Sequence, residues 1–165
     1  MSPLSSKELM AKYGPFDYVS NKDGYVDIQG DWAKRNIVPL EHPLLMAVKN
    51  KKRGVHRDAH AAFTAVFDAI AAKGPPLSDL VRSWSGPCGA RHIDFDPTRA
   101  LSLHCFGVAI DINSRWNAYG AQPQLAGLRG SVRELVPIFK QFGFAWGGDF
   151  GGASVDGMHF ELALK

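Results

Sequence analysis

Two apolar, strand-forming runs are each interrupted by a histidine and by carboxylates, and they constrain the fold more than any other feature of the chain. The first run, residues 101–113, carries His104 and Asp111, and the second, residues 155–162, carries His159. Burying a carboxylate without a partner among valine and isoleucine side chains is costly, so Asp111 needs one. A metal ion would satisfy that need.

Two histidines and one carboxylate are an ordinary ligand set for a catalytic zinc ion, because three protein ligands leave the fourth position open for water. The set predicted here is His104, Asp111 and His159. Asp156 lies three residues before His159 and is the candidate base for a proton from that water. The alternative interpretation is that Asp111 caps a turn and that the two histidines are hydrogen-bonded core residues.

Other residues could also bind a metal. His56 and His60 lie one helical turn apart, but they lack a carboxylate or thiol partner at a suggestive spacing and are interpreted as surface or capping histidines. A structural zinc site could instead use four residues, Cys88, His92, His104 and Cys105. Adjacent residues on a strand point to opposite faces, which disfavours joint ligation by His104 and Cys105. We therefore expect Cys105 to be a buried thiol and Cys88 a loop thiol.

The pattern of apolar residues predicts a mixed α+β domain. Helical spacing predicts helices over residues 57–73 and 123–142. A strand over residues 36–40 belongs at a sheet edge, because Pro39 cannot donate to a central ladder. The last strand is predicted over residues 158–164. Since no repeat or linker interrupts these elements, one α+β domain is the simplest interpretation.

The composition disfavours two functional classes. A net charge of +3, from 19 basic and 16 acidic residues, is too weak a bias to indicate a nucleic-acid partner. No stretch approaches the roughly 20 apolar residues of a membrane span. The first residues have neither the apolar core nor the cleavage pattern of a signal peptide. We therefore expect a soluble chain that is made in the cytoplasm.

The two runs together resemble the motifs of a known family. The pattern Ser-x-His-x-x-Gly-x-Ala-x-Asp over residues 102–111, followed by Asp-x-x-His-Phe over residues 156–160, is similar to that of the zinc D-Ala-D-Ala carboxypeptidases. This family includes vancomycin-resistance carboxypeptidases and the L-alanyl-D-glutamate endopeptidases of phage endolysins.

The resemblance covers roughly residues 36–165. It implies the hedgehog/DD-peptidase fold, in which a small central antiparallel sheet carries the zinc site and is flanked by two main helices. Residues 1–35 match nothing in that family. We expect them to form an irregular N-terminal extension packed on a zinc peptidase domain of residues 36–165.

The resemblance also implies which residues perform the chemistry. It makes His104, Asp111 and His159 the zinc ligands, and it makes Asp156 the general base that activates the attacking water. These four positions agree with the family motifs in both residue type and spacing.

Further residues receive roles by the same resemblance. Arg91 would hold a substrate carboxylate or stabilise the oxyanion. Arg82 is the alternative candidate for the same role. Ser102 would orient the first motif, and Trp146 would line the substrate cleft. Glu161 shares the face of His159 by the period of a strand and could support that ligand.

The implied activity is hydrolysis of a peptidoglycan stem-peptide bond next to a D-amino acid. The stretch Trp146-Gly147-Gly148-Asp149 resembles the endopeptidase branch and favours the L-Ala–D-Glu bond. The alternatives are a D-Ala-D-Ala carboxypeptidase and a non-catalytic, zinc-stabilised cell-wall-binding or phage structural module. We expect a monomer of phage or prophage origin that acts in the periplasm or cell wall.

Overall fold

A five-stranded sheet lies at the centre of the computed structural model, which describes residues 4–50, 54–86 and 89–162. All neighbouring strands are antiparallel except the first pair, which is parallel. In spatial order the strands are β4 (Lys49–Asn50), β6 (Ser83–Ser85), β7 (Ala109–Ile112), β9 (His159–Leu162) and β8 (Phe144–Trp146).

Two smaller antiparallel pairs complete the described strands. One is a hairpin of β1 (Tyr18–Ser20) and β2 (Val26–Ile28), and the other joins β3 (Ile37–Pro39) to β5 (Gly54–His56). The predicted edge strand at Pro39 is confirmed, because β3 pairs with a single neighbour. The described part of the last strand ends at Leu162, so the final residues of that prediction lie outside the described ranges.

Helices are short apart from one. They are α1 (Ser6–Tyr13), α2 (Trp32–Asn36), α3 (Pro43–Met46), α4 (His60–Ala72), α5 (Pro75–Ser78) and α6 (Val136–Gln141). The first predicted helix is confirmed as α4, which buries four apolar side chains at helical spacing: Phe63, Val66, Phe67 and Ile70. Among the described residues, no helix has the length and apolar character needed to cross a bilayer.

The second predicted helix is wrong over most of its length, because helix α6 covers only its last part. Gly127 and Gly130 adopt left-handed backbone, with φ of 79° and 86°, which interrupts a right-handed helix. Leu125 and Leu128 are 64% and 51% exposed, so they do not belong to a buried stripe. Of the two main helices expected beside the sheet, only α4 has the expected size.

The N-terminal residues contribute to the same core as the rest of the chain. Helix α1 begins with a capping box between Ser5 and Glu8, which satisfies backbone amides of its first turn. The rings of Phe16 and Trp32 contact Phe106, with centroids 5.2 Å and 6.4 Å apart. Burying large aromatic side chains stabilises such a cluster by about 1.5–3 kcal/mol each. The division into an extension and a separate peptidase domain stays a prediction.

Candidate metal centre

Two central strands bring an acid and a histidine face to face. In the antiparallel register of β7 and β9, Asp111 lies directly opposite His159, so both side chains project from the same face of the sheet. Ala109 opposes Glu161 two residues away, which places Glu161 on that face as well. The buried sheet therefore fixes two of the three predicted ligands relative to each other.

The third predicted ligand, His104, lies in a 3₁₀ turn over Leu103–Phe106 rather than in the strand that the apolar run predicts. The hydroxyl of Ser102 accepts from the His104 amide at 3.4 Å and caps the turn. Gly107 ends the turn with a φ of 70°. Its α-carbon lies so close to the backbone of His56 that a side chain there would collide with it.

The three side chains place one donor atom each at a common point. His104 Nε2 lies 3.1 Å from His159 Nδ1, and Asp111 Oδ1 lies 3.3 Å and 3.4 Å from these two nitrogens. Zinc held about 2.0–2.1 Å from its ligands places tetrahedral donors about 3.3–3.4 Å apart. The three atoms therefore have the spacing of one face of a zinc coordination tetrahedron.

Unsatisfied polar atoms are concentrated in this region. Among the described residues, four buried side-chain nitrogen or oxygen atoms lack a hydrogen-bond partner, and they belong to Tyr13, His104, Asp111 and Asp156. Buried polar atoms are normally paired, so each exception needs an explanation. Asp111 Oδ1 is one of the atoms aimed at the common point, and a cation there would satisfy it. The donor set thus fits a metal ion, and zinc in particular.

The charges of the cluster are arranged for a cation. Burial alone would raise the pKa of Asp111, but the nearby His104 and His159 outweigh it and hold that pKa well below its usual range. Burial lowers the pKa of His104, which favours the neutral imidazole that ligates metals. Burial also acts to lower the pKa of His159, but the neighbouring carboxylates of Asp111 and Glu161 raise it to about 10.

Glu161 supports His159 from the side away from the donor atoms. Its Oε2 lies 2.9 Å from His159 Nε2, and both residues are buried. A carboxylate on the far nitrogen of a ligating histidine fixes the ring and its tautomer. This hydrogen bond leaves Nδ1 of His159 directed toward His104 and Asp111.

Asp156 lies in the turn that leads into β9. Its amide donates to the Gly147 carbonyl at 2.9 Å, and its own carbonyl accepts from the His159 amide at 3.2 Å. The absence of a side chain at Gly147 makes this approach possible, because a Cβ there would overlap the Asp156 carbonyl. Burial raises the pKa of the Asp156 carboxyl to about 6. A carboxyl with that pKa is suited to proton transfer near neutral pH.

Arg91 and Ser102 line the same cleft as Asp156 and His159, in a cavity of about 500 Å³. Arg91 Nη1 donates to the Ser102 hydroxyl at 3.3 Å. A guanidinium, a carboxyl and a candidate metal ligand thus line one cavity. Such a cavity can bind an anionic or carbonyl group of a substrate.

Two predicted site residues lie elsewhere. Trp146 is 6% exposed, belongs to the hydrophobic core and donates its indole N–H to the Gly157 carbonyl at 2.9 Å. It is not among the described residues that line the cleft, so its packing does not favour the predicted substrate contact. Arg82 lines a different cavity of about 800 Å³ together with Trp116 and Arg129.

The alternative metal sites have other hydrogen-bond partners. His56 is predicted to be a surface or capping histidine; it is buried, and its ring accepts from the Asp58 amide at 3.1 Å, which agrees with the capping role and not with the surface one. His92 bonds through both ring nitrogens, to the Ser20 hydroxyl at 2.7 Å and to a backbone carbonyl at 2.6 Å. Cys105 is buried, as expected, and Cys88 lies outside the described residues.

Several apolar cleft residues were not predicted. Phe95, Tyr119, Phe150 and Met158 line the cavity beside the polar groups. The Phe150 ring contacts His159 with centroids 6.2 Å apart. The sequence offered one signal for Phe150: it is a large aromatic residue in a segment, residues 147–152, that has a glycine pair at each end. The other three lie in segments whose pattern predicts only loop or strand.

Comparison with known proteins points in the same direction. Residues 96–162 match a family described as D-alanyl-D-alanine carboxypeptidase, over less than half of the chain. Curated proteins and solved structures yield no significant match. The matched segment contains the three clustered residues and Asp156, whereas Arg91 precedes it. The match supports a peptidoglycan peptidase of the zinc carboxypeptidase family.

Proposed function

We propose that this chain is a zinc-dependent peptidase that hydrolyses a peptidoglycan stem-peptide bond next to a D-amino acid. One observation carries the proposal: three donor atoms at tetrahedral spacing lie within electrostatic reach of a buried carboxyl at the wall of a cleft. The family match supports the class of reaction and of substrate.

Each polar residue has a separate task in this proposal. Zinc bound by His104, Asp111 and His159 would lower the pKa of a water molecule toward about 7 and polarise the scissile carbonyl. Asp156 accepts a proton from the attacking water and passes it to the leaving amine. Arg91 holds a substrate carboxylate or stabilises the developing oxyanion.

For the scissile bond we propose L-Ala–D-Glu, as in endolysin-like endopeptidases. The support is the resemblance of residues 146–149 to that branch. A substrate contact by Trp146 is not part of this support, because its side chain packs in the core. A D-Ala-D-Ala carboxypeptidase is the second candidate, and the description of the matching family favours it. Both substrates lie in the cell wall, so we propose that the protein acts there. We also propose that it is a monomer and that it is a lysis enzyme of phage or prophage origin.

Mass spectrometry of muropeptides after digestion with the zinc-loaded protein tests the function and the bond together. Release of peptides that begin with D-Glu supports the endopeptidase, and release of terminal D-Ala supports the carboxypeptidase. Chelated protein and the Asp156→Asn variant are the controls, and both should release far less product than the zinc-loaded wild type in the same time. Zinc-loaded protein that binds peptidoglycan but releases neither product would favour the non-catalytic module.

A further inference from the structure

The segment that follows Arg91 has an unusual backbone at the rim of the cleft. Asp94 and Phe95 have positive φ values of 58° and 57°, although neither is glycine. Left-handed backbone is unfavourable for residues with a Cβ, and two in succession persist only where surrounding contacts hold them. Phe95 lines the cleft together with Arg91, so the strain lies at the candidate site.

Two contacts of the Phe95 ring hold this segment, and one of them comes from the turn of the N-terminal hairpin of β1 and β2. The ring of Tyr25, the residue before β2, meets the Phe95 ring edge-on with centroids 5.1 Å apart. The Arg91 guanidinium lies 5.2 Å from the centroid of the same Phe95 ring. Tyr25, Phe95 and Arg91 therefore form a continuous chain of contacts from the hairpin to the cleft.

Backbone hydrogen bonds attach the hairpin to the same segment on both sides of Arg91. The Val26 amide donates to the Ala90 carbonyl at 2.8 Å, and the His92 amide donates to the Gly24 carbonyl at 2.9 Å. Gly24 packs so closely on Phe95 that a Cβ there would overlap the Phe95 carbonyl. This contact fixes the hairpin directly against the strained residues.

The turn that carries His104 holds Arg91 from the other side. The Arg91 amide donates to Cys105 Sγ at 3.2 Å, and the Arg91 carbonyl accepts from the Ser102 amide at 3.0 Å. The backbone of Arg91 is therefore attached both to the hairpin and to the turn of a candidate ligand. The orientation of its long side chain depends on Phe95 and on the Ser102 hydroxyl.

We propose that the N-terminal hairpin is a positioning element of the active site, which holds the Arg91 guanidinium in the cleft through Tyr25 and Phe95. The inference rests on the proposed function, because Arg91 needs a substrate group on which to act. A long side chain that is already restricted by its neighbours loses less conformational entropy when it binds that group. The end of the hairpin that carries Gly24, Tyr25 and Val26 then contributes to substrate binding, whereas the exposed strand residue Val19 does not.

A double-mutant cycle tests this role. Replacing Tyr25→Ala should lower kcat/KM for stem-peptide hydrolysis about three- to tenfold, the size of one aromatic contact. The Tyr25→Phe variant should retain the activity, because the ring makes the contact. The matched control is Val19→Ala, on the same hairpin and 61% exposed, which should be neutral. In an Arg91→Ala background, Tyr25→Ala should have no further effect, and an equal loss with and without Arg91 would overturn the proposal.

Amide hydrogen exchange gives a second measurement that needs no turnover. Exchange of the His92 amide, which bonds to Gly24, should accelerate in Tyr25→Ala and not in Val19→Ala, with bound zinc unchanged in both. If the wild-type chain cleaves no peptidoglycan, the proposed function fails, whereas faster His92 exchange still supports positioning by the hairpin. Unchanged His92 exchange in Tyr25→Ala overturns it in either case.

Discussion

Two buried histidine sites in this chain differ in how their ring nitrogens are used. His56 Nε2 donates to the Tyr13 carbonyl and Nδ1 accepts from the Asp58 amide, each at 3.1 Å, so both nitrogens have protein partners. His104 and His159 instead direct nitrogens at each other across 3.1 Å, with a carboxylate oxygen next to both. At His56 both ring nitrogens have hydrogen-bond partners. The converging nitrogens and oxygen at the second site instead need a shared proton or a cation between them.

The comparison teaches that converging donor atoms, rather than burial or spacing, distinguish the candidate site. His56 and His60 have the helical spacing of a metal-binding pair, yet His56 links the end of helix α1 to the residues after β5. His104 and His159 are separated by 55 positions and meet only through the fold. Substitutions at the two sites should therefore differ in effect, with the largest losses at the converging donors and the smallest change at His56.

The largest effect is expected from His104→Ala. Removing a donor should abolish stoichiometric zinc binding and lower peptidase activity about 10³-fold or more, because the metal supplies several kcal/mol of transition-state stabilisation. The His56→Gln variant is the matched control and should keep both zinc and activity. Metal analysis and muropeptide digestion measure the two quantities, and zinc retained at full stoichiometry in His104→Ala would contradict the ligand assignment.

Asp156→Asn separates the base from the metal centre. The amide has nearly the shape of the carboxyl but cannot accept the proton, so kcat/KM should fall about 10²–10⁴-fold. Zinc content should stay at the wild-type level, because Asp156 is not one of the clustered donors. Wild-type rates of peptidoglycan cleavage by this variant would remove Asp156 from the mechanism.

Glu161→Gln tests the support of His159. The substitution weakens a 2.9 Å hydrogen bond to His159 Nε2 without changing the donor set, so zinc affinity should fall about 10–100-fold. Competition with a chelator of known affinity measures this change. At saturating zinc most of the activity should return, and an unchanged affinity would show that Glu161 does not support the ligand.

The smallest effect concerns the pH dependence of stability at His56. Burial lowers the pKa of His56 below its usual value of 6.5, so the unfolded chain binds a proton more readily than the folded chain. The stabilisation is therefore complete above that value and is lost as the pH falls, by at most about 1.4 kcal/mol per pH unit. Denaturant unfolding of wild type and His56→Gln should show a shallower acid slope in the variant. Parallel slopes would mean that His56 does not titrate in this way.

Elements whose apolar pattern is unambiguous could be predicted from the sequence. Helix α4 matches because Phe63, Phe67 and Ile70 repeat at helical spacing without a glycine between them. The segment before α6 shows similar spacing of leucines, but the left-handed glycines Gly127 and Gly130 interrupt it. Periodicity alone cannot distinguish the two, because backbone conformation at a glycine depends on its tertiary contacts.

By itself the sequence determined the candidate donors, because histidines and carboxylates inside apolar runs need partners that a hydrophobic core does not supply. Only the tertiary structure decided that they converge. The register of β7 against β9 sets Asp111 opposite His159, and a 3₁₀ turn places His104 beside both. It also placed Tyr25 and Phe95 beside Arg91, a contact that no local pattern encodes. Local spacing specifies elements and candidates, whereas distances between remote residues follow from packing.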